Sequence, residues 1–462
     1  MQRAATTDPP AGQDEWLGHP RGLAYITVAE AFERFSFYGM QSLLMLYMTG
    51  WLLLPEVAGR IWGFAQFRAA LEALAGPLPP QALAAQIFGI YVSLVYFSPI
   101  LGGWLGDRVL GRTQAVLAGG CMLAAGYFLM ASAAAFLASI ALLVAGTGLL
   151  KSNLAAQVGQ LYAARDSRRE RGYTAYFAAI NVGGFLAPLV CGTLGERFDW
   201  RYGFVAAGIG MLLGLAVYLR GIGHYREPQL LAAAAVPQRM SARDWLTVAW
   251  LLLLIAITAC FWTVQTQAWN IYPLWLRDHV DLRVGTGLSI PVTWFQSIDS
   301  LAVLLLAPLL MWLWKRLAAT GREPQDLSKI ASGSALYGLA CLVLGLGQWL
   351  SPHDGRVAAL WPVLFHFVAG LGYLCSAPVA LALVSRAAPA AVNAMMAGAY
   401  YLGLFLAGFC SGWLGRFYET ALQAPAFWAL HAAIGGAGTL LLLVLYRPLA
   451  RRLEPRAADA AL

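Results

Sequence analysis

Glu30, Glu33 and Arg34 stand close together in a stretch that is otherwise apolar, with Tyr38 shortly after them. At 100° per residue, Glu30, Glu33 and Arg34 share one face of a helix, and Tyr38 sits one turn above Arg34. The surrounding run, from about Gly22 to Met48, is long enough to cross a bilayer with some tilt. Each charge at mid-membrane costs about 2.5–3.5 kcal/mol on insertion scales, so the three must face protein or water rather than lipid. A self-neutralising structural Glu–Arg pair meets that demand. So does a path for an ion or substrate, which intramembrane ionisable clusters more often mark.

The composition says what carries this cluster. The chain has 462 residues, 60% of them hydrophobic and 12% charged, with a mean hydropathy of +0.63. Soluble domains average about 25% charged residues, and repeated apolar runs of about 18 or more residues read as a polytopic membrane protein. The net charge of +8 then belongs to cytoplasmic loops and not to a nucleic-acid surface. Cys121, Cys191, Cys260, Cys341, Cys375 and Cys410 are scattered singly, which fits neither a disulfide framework nor a metal site. The start, Met1 to Pro20, lacks the apolar core of a signal peptide and reads as a cytoplasmic tail.

Periodicity and breakers predict twelve helices, near 22–48, 86–107, 113–134, 136–162, 173–195 and 201–220, then 245–275, 290–314, 327–350, 357–384, 391–415 and 424–447. A polar stretch, Gly221 to Arg243, separates the two sets of six. The expected divisions are a tail over 1–21, a bundle over 22–220, a linker over 221–243, a second bundle over 244–449 and a tail over 450–462. Two bundles around a midplane site is the layout of many secondary transporters. Lys and Arg concentrate in the segments that share a side with the N-terminus, which puts both termini in the cytoplasm. Between the first two helices, Ile61 to Leu74 reads as an amphipathic piece on the outer surface.

Further motifs carry polar groups into the spans. Gly102-Gly103-Trp104-Leu105-Gly106-Asp107-Arg108-Val109-Leu110-Gly111-Arg112 joins the second and third helices. Its glycines allow close helix approach, and Asp107 with Arg108 and Arg112 can form a breakable charge clamp; a tight basic turn is the plain alternative. Gly146-Thr147-Gly148-Leu149-Leu150-Lys151-Ser152-Asn153 lacks the glycine before the lysine of a phosphate loop and lies in an apolar helix. Asn181 is an intramembrane amide that needs hydrogen-bond partners, from a substrate backbone or from another helix.

These motifs resemble the proton-dependent oligopeptide transporters, a branch of the major facilitator superfamily. Residues Glu30 to Gly39 are similar to that family's ExxERFxYYG, with Phe37 at the first Tyr. The segments around Lys151 and Asn181 resemble GTGLLKxN and FYxxINxGS, and residues Gly102 to Arg112 the superfamily's loop motif. Resemblance continues in the second half with departures. Phe261 to Gln267 is similar to FWxxxEQ with Thr266 at the Glu, and Trp294 to Ser300 to FQSxNP with Asp299 at the Asn. Gly372 to Pro378 is similar to GELxxSP with Tyr373 at the Glu, and Tyr400 stands for Trp in the eleventh helix.

The resemblance implies an all-α membrane protein with the major facilitator fold, without the extra helix pair some bacterial members insert at the linker. It implies substrate and proton sites at Glu30, Glu33, Arg34, Tyr38, Lys151, Asn181, Gln267, Asp299 and Tyr373, with Lys151 paired to Glu30, and a gate at Asp107, Arg108 and Arg112. The leading function is proton-coupled import of di- or tripeptides by a monomer in the bacterial inner membrane, with the proton as coupling ion and no other cofactor. An anionic or amine-free substrate is the alternative, and a non-transporting sensor a third. No HExxH or GxSxG motif supports an enzyme. Two expectations concern the departures. Recognition of a free α-amine should weaken at Tyr373, and Asp299 should replace the missing seventh-helix acid, level with Arg34 and pairing with it.

Overall fold

The computed structural model describes residues 15–163, 166–225, 240–284, 287–351 and 356–454. Apolar segments of this length have no water to satisfy their backbones in hydrocarbon, so they close their hydrogen bonds internally as helices. The first set is α1 (Arg21–Tyr47), α2 (Pro80–Leu105), α3 (Arg112–Met130), α4 (Phe136–Gln160), α5 (Arg168–Ala187) and α6 (Trp200–Arg220). The second is α7 (Ala242–Thr266), α8 (Trp294–Ala319), α9 (Asp326–Leu350), α10 (Leu360–Ala387), α11 (Asn393–Ala399 continued by Tyr401–Gly415) and α12 (Ala424–Val444). Among the described residues, 11 of these are long and apolar enough to cross a membrane. Only α1 falls outside that set, because Glu30, Glu33 and Arg34 sit in its middle. The expected linker lies largely outside the described residues (226–239), as do the outer parts of both tails (1–14 and 455–462).

The two sets repeat one packing plan. In the first, α1 packs on α5 and α6, α4 on α2 and α3, and α3 also on α6. In the second, α7 packs on α11 and α12, α10 on α8 and α9, and α9 also on α12. Shifting every number by six converts one set of contacts into the other. The halves meet where α2 crosses α11 and where α5 crosses α8, a pair that the same shift also relates. Glycine makes the first crossing close: a Cβ on Gly89 would lie 2.5 Å from the Gly408 carbonyl oxygen.

Some boundaries differ from the sequence reading. α2 starts at Pro80 because proline is favoured in a first turn, where its missing N–H costs nothing. α7 stops at Thr266, and a separate short helix, Tyr272–His279, follows with Pro273 in its own first turn. α8 starts at Trp294, so Asp299 lies about 8 Å from its beginning rather than the expected 13 Å. The amphipathic piece is present as Phe64–Ala75, capped at both ends by glycines with positive φ.

Polar contacts between the halves cluster at the end that carries this piece. Glu196, beyond the last turn of α5, accepts from the Val292 and Thr293 amides at 2.9 Å each and from the Thr293 hydroxyl at 2.7 Å. Trp294 Nε1 donates to Thr193 Oγ1 at 2.7 Å, and Arg416 to the Ala75 carbonyl at 2.9 Å. At the opposite end Leu101, Trp104, Val109 and Met395 are exposed. There the N-terminal segment folds back: His19 Nδ1 meets the Tyr162 hydroxyl at 2.8 Å, and Arg168 pairs with Glu15 and Asp166. Hydrogen bonds from Arg168 hold the Asp166 carboxyl below its ordinary value.

Candidate functional site

The centre of the first half is a closed charge network on α1. Glu30, Glu33 and Arg34 are only 2%, 1% and 3% exposed. Arg34 grips Glu33 with two nitrogens, Nη2 reaching Oε1 at 2.6 Å, and its Nε lies 3.3 Å from Glu30 Oε1. Two parallel bonds to one carboxylate are the strongest arrangement a guanidinium offers. Glu30 is held less tightly. Its second oxygen is buried with no hydrogen-bond partner among the described residues, and the Tyr176 phenol on α5 lies against it. Arg34 also covers the Phe37 ring at 4.7 Å and faces Tyr38 at 6.0 Å.

Lys151 does not form the expected ion pair with Glu30, whose Oε1 lies beside Arg34. Among the described residues no carboxylate lies within ion-pair distance of the lysine. Its Nζ sits instead 4.7 Å from the Tyr96 ring on α2 and 5.9 Å from the Tyr401 ring on α11. Those rings are nearly parallel, with centres 6.3 Å apart, so a cation of one half is caged by aromatics of both. Desolvated cation–π contacts are worth about 2 kcal/mol. Tyr38 makes a second aromatic bridge, stacked on Trp269 of the other half at 5.2 Å.

The second half offers different chemistry. Thr266 bonds its own helix, donating to the Trp262 carbonyl at 2.7 Å. Tyr373 is half-buried and packs edge-on to Trp262 at 6.2 Å. Asp299, with a side chain 22% exposed, does not reach Arg34; Oδ1 lies 3.7 Å from His366 Nδ1 on α10. Arg34 stays instead with Glu33 and Glu30 of its own helix. Gln267 also departs from expectation. It is fully buried, donates to the Ser411 carbonyl at 3.1 Å and meets His431 Nε2 at 3.0 Å, so it ties α11 and α12 together. Asn181 donates to the Phe177 carbonyl of its own helix at 3.0 Å and is half-buried.

The motif between α2 and α3 is read directly from its contacts. Arg112 Nε meets Asp107 Oδ1 at 2.8 Å. A Cβ on Gly102 would lie 1.9 Å from the Gly148 carbonyl oxygen, so only glycine fits where α2 crosses α4. Asn153 fills the adjoining space and donates to the Gly102 carbonyl at 3.0 Å.

Sequence reasoning missed His366, Tyr96 and Trp269. For His366 a signal existed: it precedes Tyr373 by seven residues on α10, two turns along one face. Trp269 follows the end of α7, where no helical period applies.

Two six-helix sets repeating one packing plan, with ionisable groups buried where they meet, define a major facilitator transporter fold. The sequence pattern of the POT family matches residues 113–250 and 238–426. An uncharacterized transporter, YclF, of Bacillus subtilis is 31% identical over 84% of this chain and 86% of its own. A di-/tripeptide transporter of Lactococcus lactis subsp. cremoris is 26% identical over 94% of this chain and 96% of its own. The crystal structure of a peptide transporter POT in complex with sulfate superposes with a TM-score of 0.82 at 30% identity, covering 95% of this chain and 97% of that one. A substituted form of that transporter in complex with alafosfalin gives a TM-score of 0.80. The chain belongs to the POT family of multi-pass membrane transporters. Each of these relatives is named as a transporter and none as an enzyme.

Proposed function

We propose that the protein imports di- or tripeptides, or peptide-like compounds, together with protons by alternating access. The observation that carries this reading is the network of Glu30, Glu33 and Arg34, buried at the junction of two repeated halves. A carboxylate held by a guanidinium is a poor base, and one released from it is a good one. A motion that separates Glu30 from Arg34 therefore changes proton affinity, and protonation in turn biases the motion. Arg34 and Lys151 attract the negative end of the substrate, with Tyr38, Asn181, Asp299 and Tyr373 around it. The matched di-/tripeptide transporter and the transporter crystallised with alafosfalin support this substrate class.

The Lys and Arg distribution supports both termini being cytoplasmic, and the bacterial transporters that the chain resembles support a bacterial inner (plasma) membrane location, with a monomer as the proposed working unit. In that orientation the Glu196 latch closes the periplasmic end, and Asp107, Arg108 and Arg112 belong to the open cytoplasmic gate. The proposed divisions are bundles over 22–220 and 244–449 and a linker over 221–243, and the contacts within each helix set support the two bundles.

A second reading, an anionic or amine-free substrate, draws on one specific observation. The second half presents the phenol of Tyr373 toward the centre, and Lys151 has no carboxylate partner among the described residues. Uptake of labelled dialanine into proteoliposomes under an inward proton gradient tests the first reading. Competition by N-blocked peptides and small dicarboxylates separates the second. Binding without accumulation would instead indicate a sensor.

A further inference from the structure

We propose that Asp299 and His366 form a proton-binding pair that serves the second half in place of the carboxylates absent at Thr266 and Tyr373. His366 is 1% exposed, and both ring nitrogens lack a hydrogen-bond partner among the described residues. A buried imidazole gains from a hydrogen-bond partner where one is in reach. The candidate is within reach: Asp299 Oδ1 stands 3.7 Å from Nδ1, and charge-assisted hydrogen bonds span about 2.7–2.9 Å. Closing that gap needs a shift of about 1 Å, well within a helix displacement in a switching transition.

The surroundings suit a proton and little else. The Tyr272 ring meets the imidazole edge-on at 5.1 Å, and Phe365 packs on Tyr272 at 4.9 Å. Tyr272 and Tyr337 carry buried hydroxyls without hydrogen-bond partners among the described residues, both within the field of Asp299. Tyr38 from α1 and Tyr373 from α10 face the same carboxylate, and Cys341 lies beside Tyr337 on α9. On the α5 side, Glu196 is spent on the first residues before α8, and Arg34 stays with Glu30 and Glu33. The phenols and the thiol carry no charge near neutral pH, so each member of the pair is the other's main electrostatic partner.

The proton count is simple. With a neutral imidazole and a carboxylate the pair carries one negative charge. One proton, entering past the partly exposed Asp299, settles on His366 Nδ1 and makes an imidazolium–carboxylate pair of zero net charge. Burying a neutral, hydrogen-bonded pair costs less than burying the lone carboxylate, so proton uptake favours the state in which the site is sealed.

This inference rests on the proton-coupled reading, and its first test is independent of transport. The full-length protein, labelled at histidine and purified in detergent without substrate, is titrated by NMR. The resonance lost in His366→Gln identifies the imidazole in the wild type. Its midpoint should fall in Asp299→Asn, where the imidazolium loses its counter-charge. A midpoint unmoved by Asp299→Asn, or an imidazole that never titrates, overturns the pair whatever the substrate proves to be. In proteoliposomes, both variants should lose gradient-driven accumulation. Accumulation retained in Asp299→Asn, which carries the residue the resembled motif has there, overturns the coupling role even if His366→Gln fails to fold.

Discussion

The first half places Glu30, Glu33 and Arg34 on a single helix, where both carboxylates hold the guanidinium. The second half follows the same packing plan, yet its centre is built of Trp262, Trp269, Tyr373 and Tyr401 around the single carboxylate of Asp299. Each half thus meets the problem of polar groups in a membrane differently. In the first, two carboxylates and a guanidinium meet on one helix, and Lys151 rests against aromatic rings. In the second, aromatic side chains predominate, and Asp299 lies 3.7 Å from His366. A repeated fold therefore does not carry repeated chemistry, because packing is set by small residues at helix crossings and chemistry by a few side chains between them.

The largest expected effect breaks the charge network of the first half. Arg34→Ala should abolish uptake, and by leaving two carboxylates buried without their cation it should lower stability by about 3–5 kcal/mol. The double variant Arg34→Met with Glu33→Gln removes the buried charge pair together. It should recover much of the melting temperature while remaining inactive, and uptake by the double variant would mean that the network is structural. Next in size is the close crossing beneath the gate motif. Gly102→Val forces side-chain atoms into the Gly148 backbone, and overpacking of this kind costs about 1–3 kcal/mol, read as a lower melting temperature.

A smaller effect probes the aromatic cage. Lys151→Gln should weaken binding of substrates with a free carboxylate by roughly 1–2 kcal/mol and spare esterified ones, while Tyr96→Leu should give part of that loss. Equal weakening for acids and esters would remove Lys151 from recognition. The smallest effect sharpens the contrast between the halves. Tyr373→Glu supplies a charge-assisted acceptor worth about 1 kcal/mol more than the phenol, so free-amine peptides should gain affinity over N-blocked ones. No change in that preference would show that the amine is bound elsewhere.

Much of the fold was legible because hydrocarbon imposes it. Apolar length predicts helices, and the polar stretch after Arg220 divides the sets. The break after Thr266 was hidden, since the residues to Leu276 remain apolar although they leave the helix and start another at Tyr272. At the site, the α1 cluster was readable because its three members share one helix, where 3.6-residue geometry fixes their relation. Partners on different helices were not. Lys151 was assigned to Glu30 and Asp299 to Arg34, because sequence gives the depth of a residue but not which neighbour reaches it first. Gln267 looked like a site residue and serves as a core tie for the same reason.

The central claim is that substrate and proton cross together, and the most direct measurement is proton entry in proteoliposomes loaded with a pH-sensitive dye. With an inside-negative potential and no initial pH difference, adding a dipeptide outside should acidify the lumen. The signal should vanish with Arg34→Ala. Dipeptide accumulation with no change in lumenal pH would contradict proton coupling.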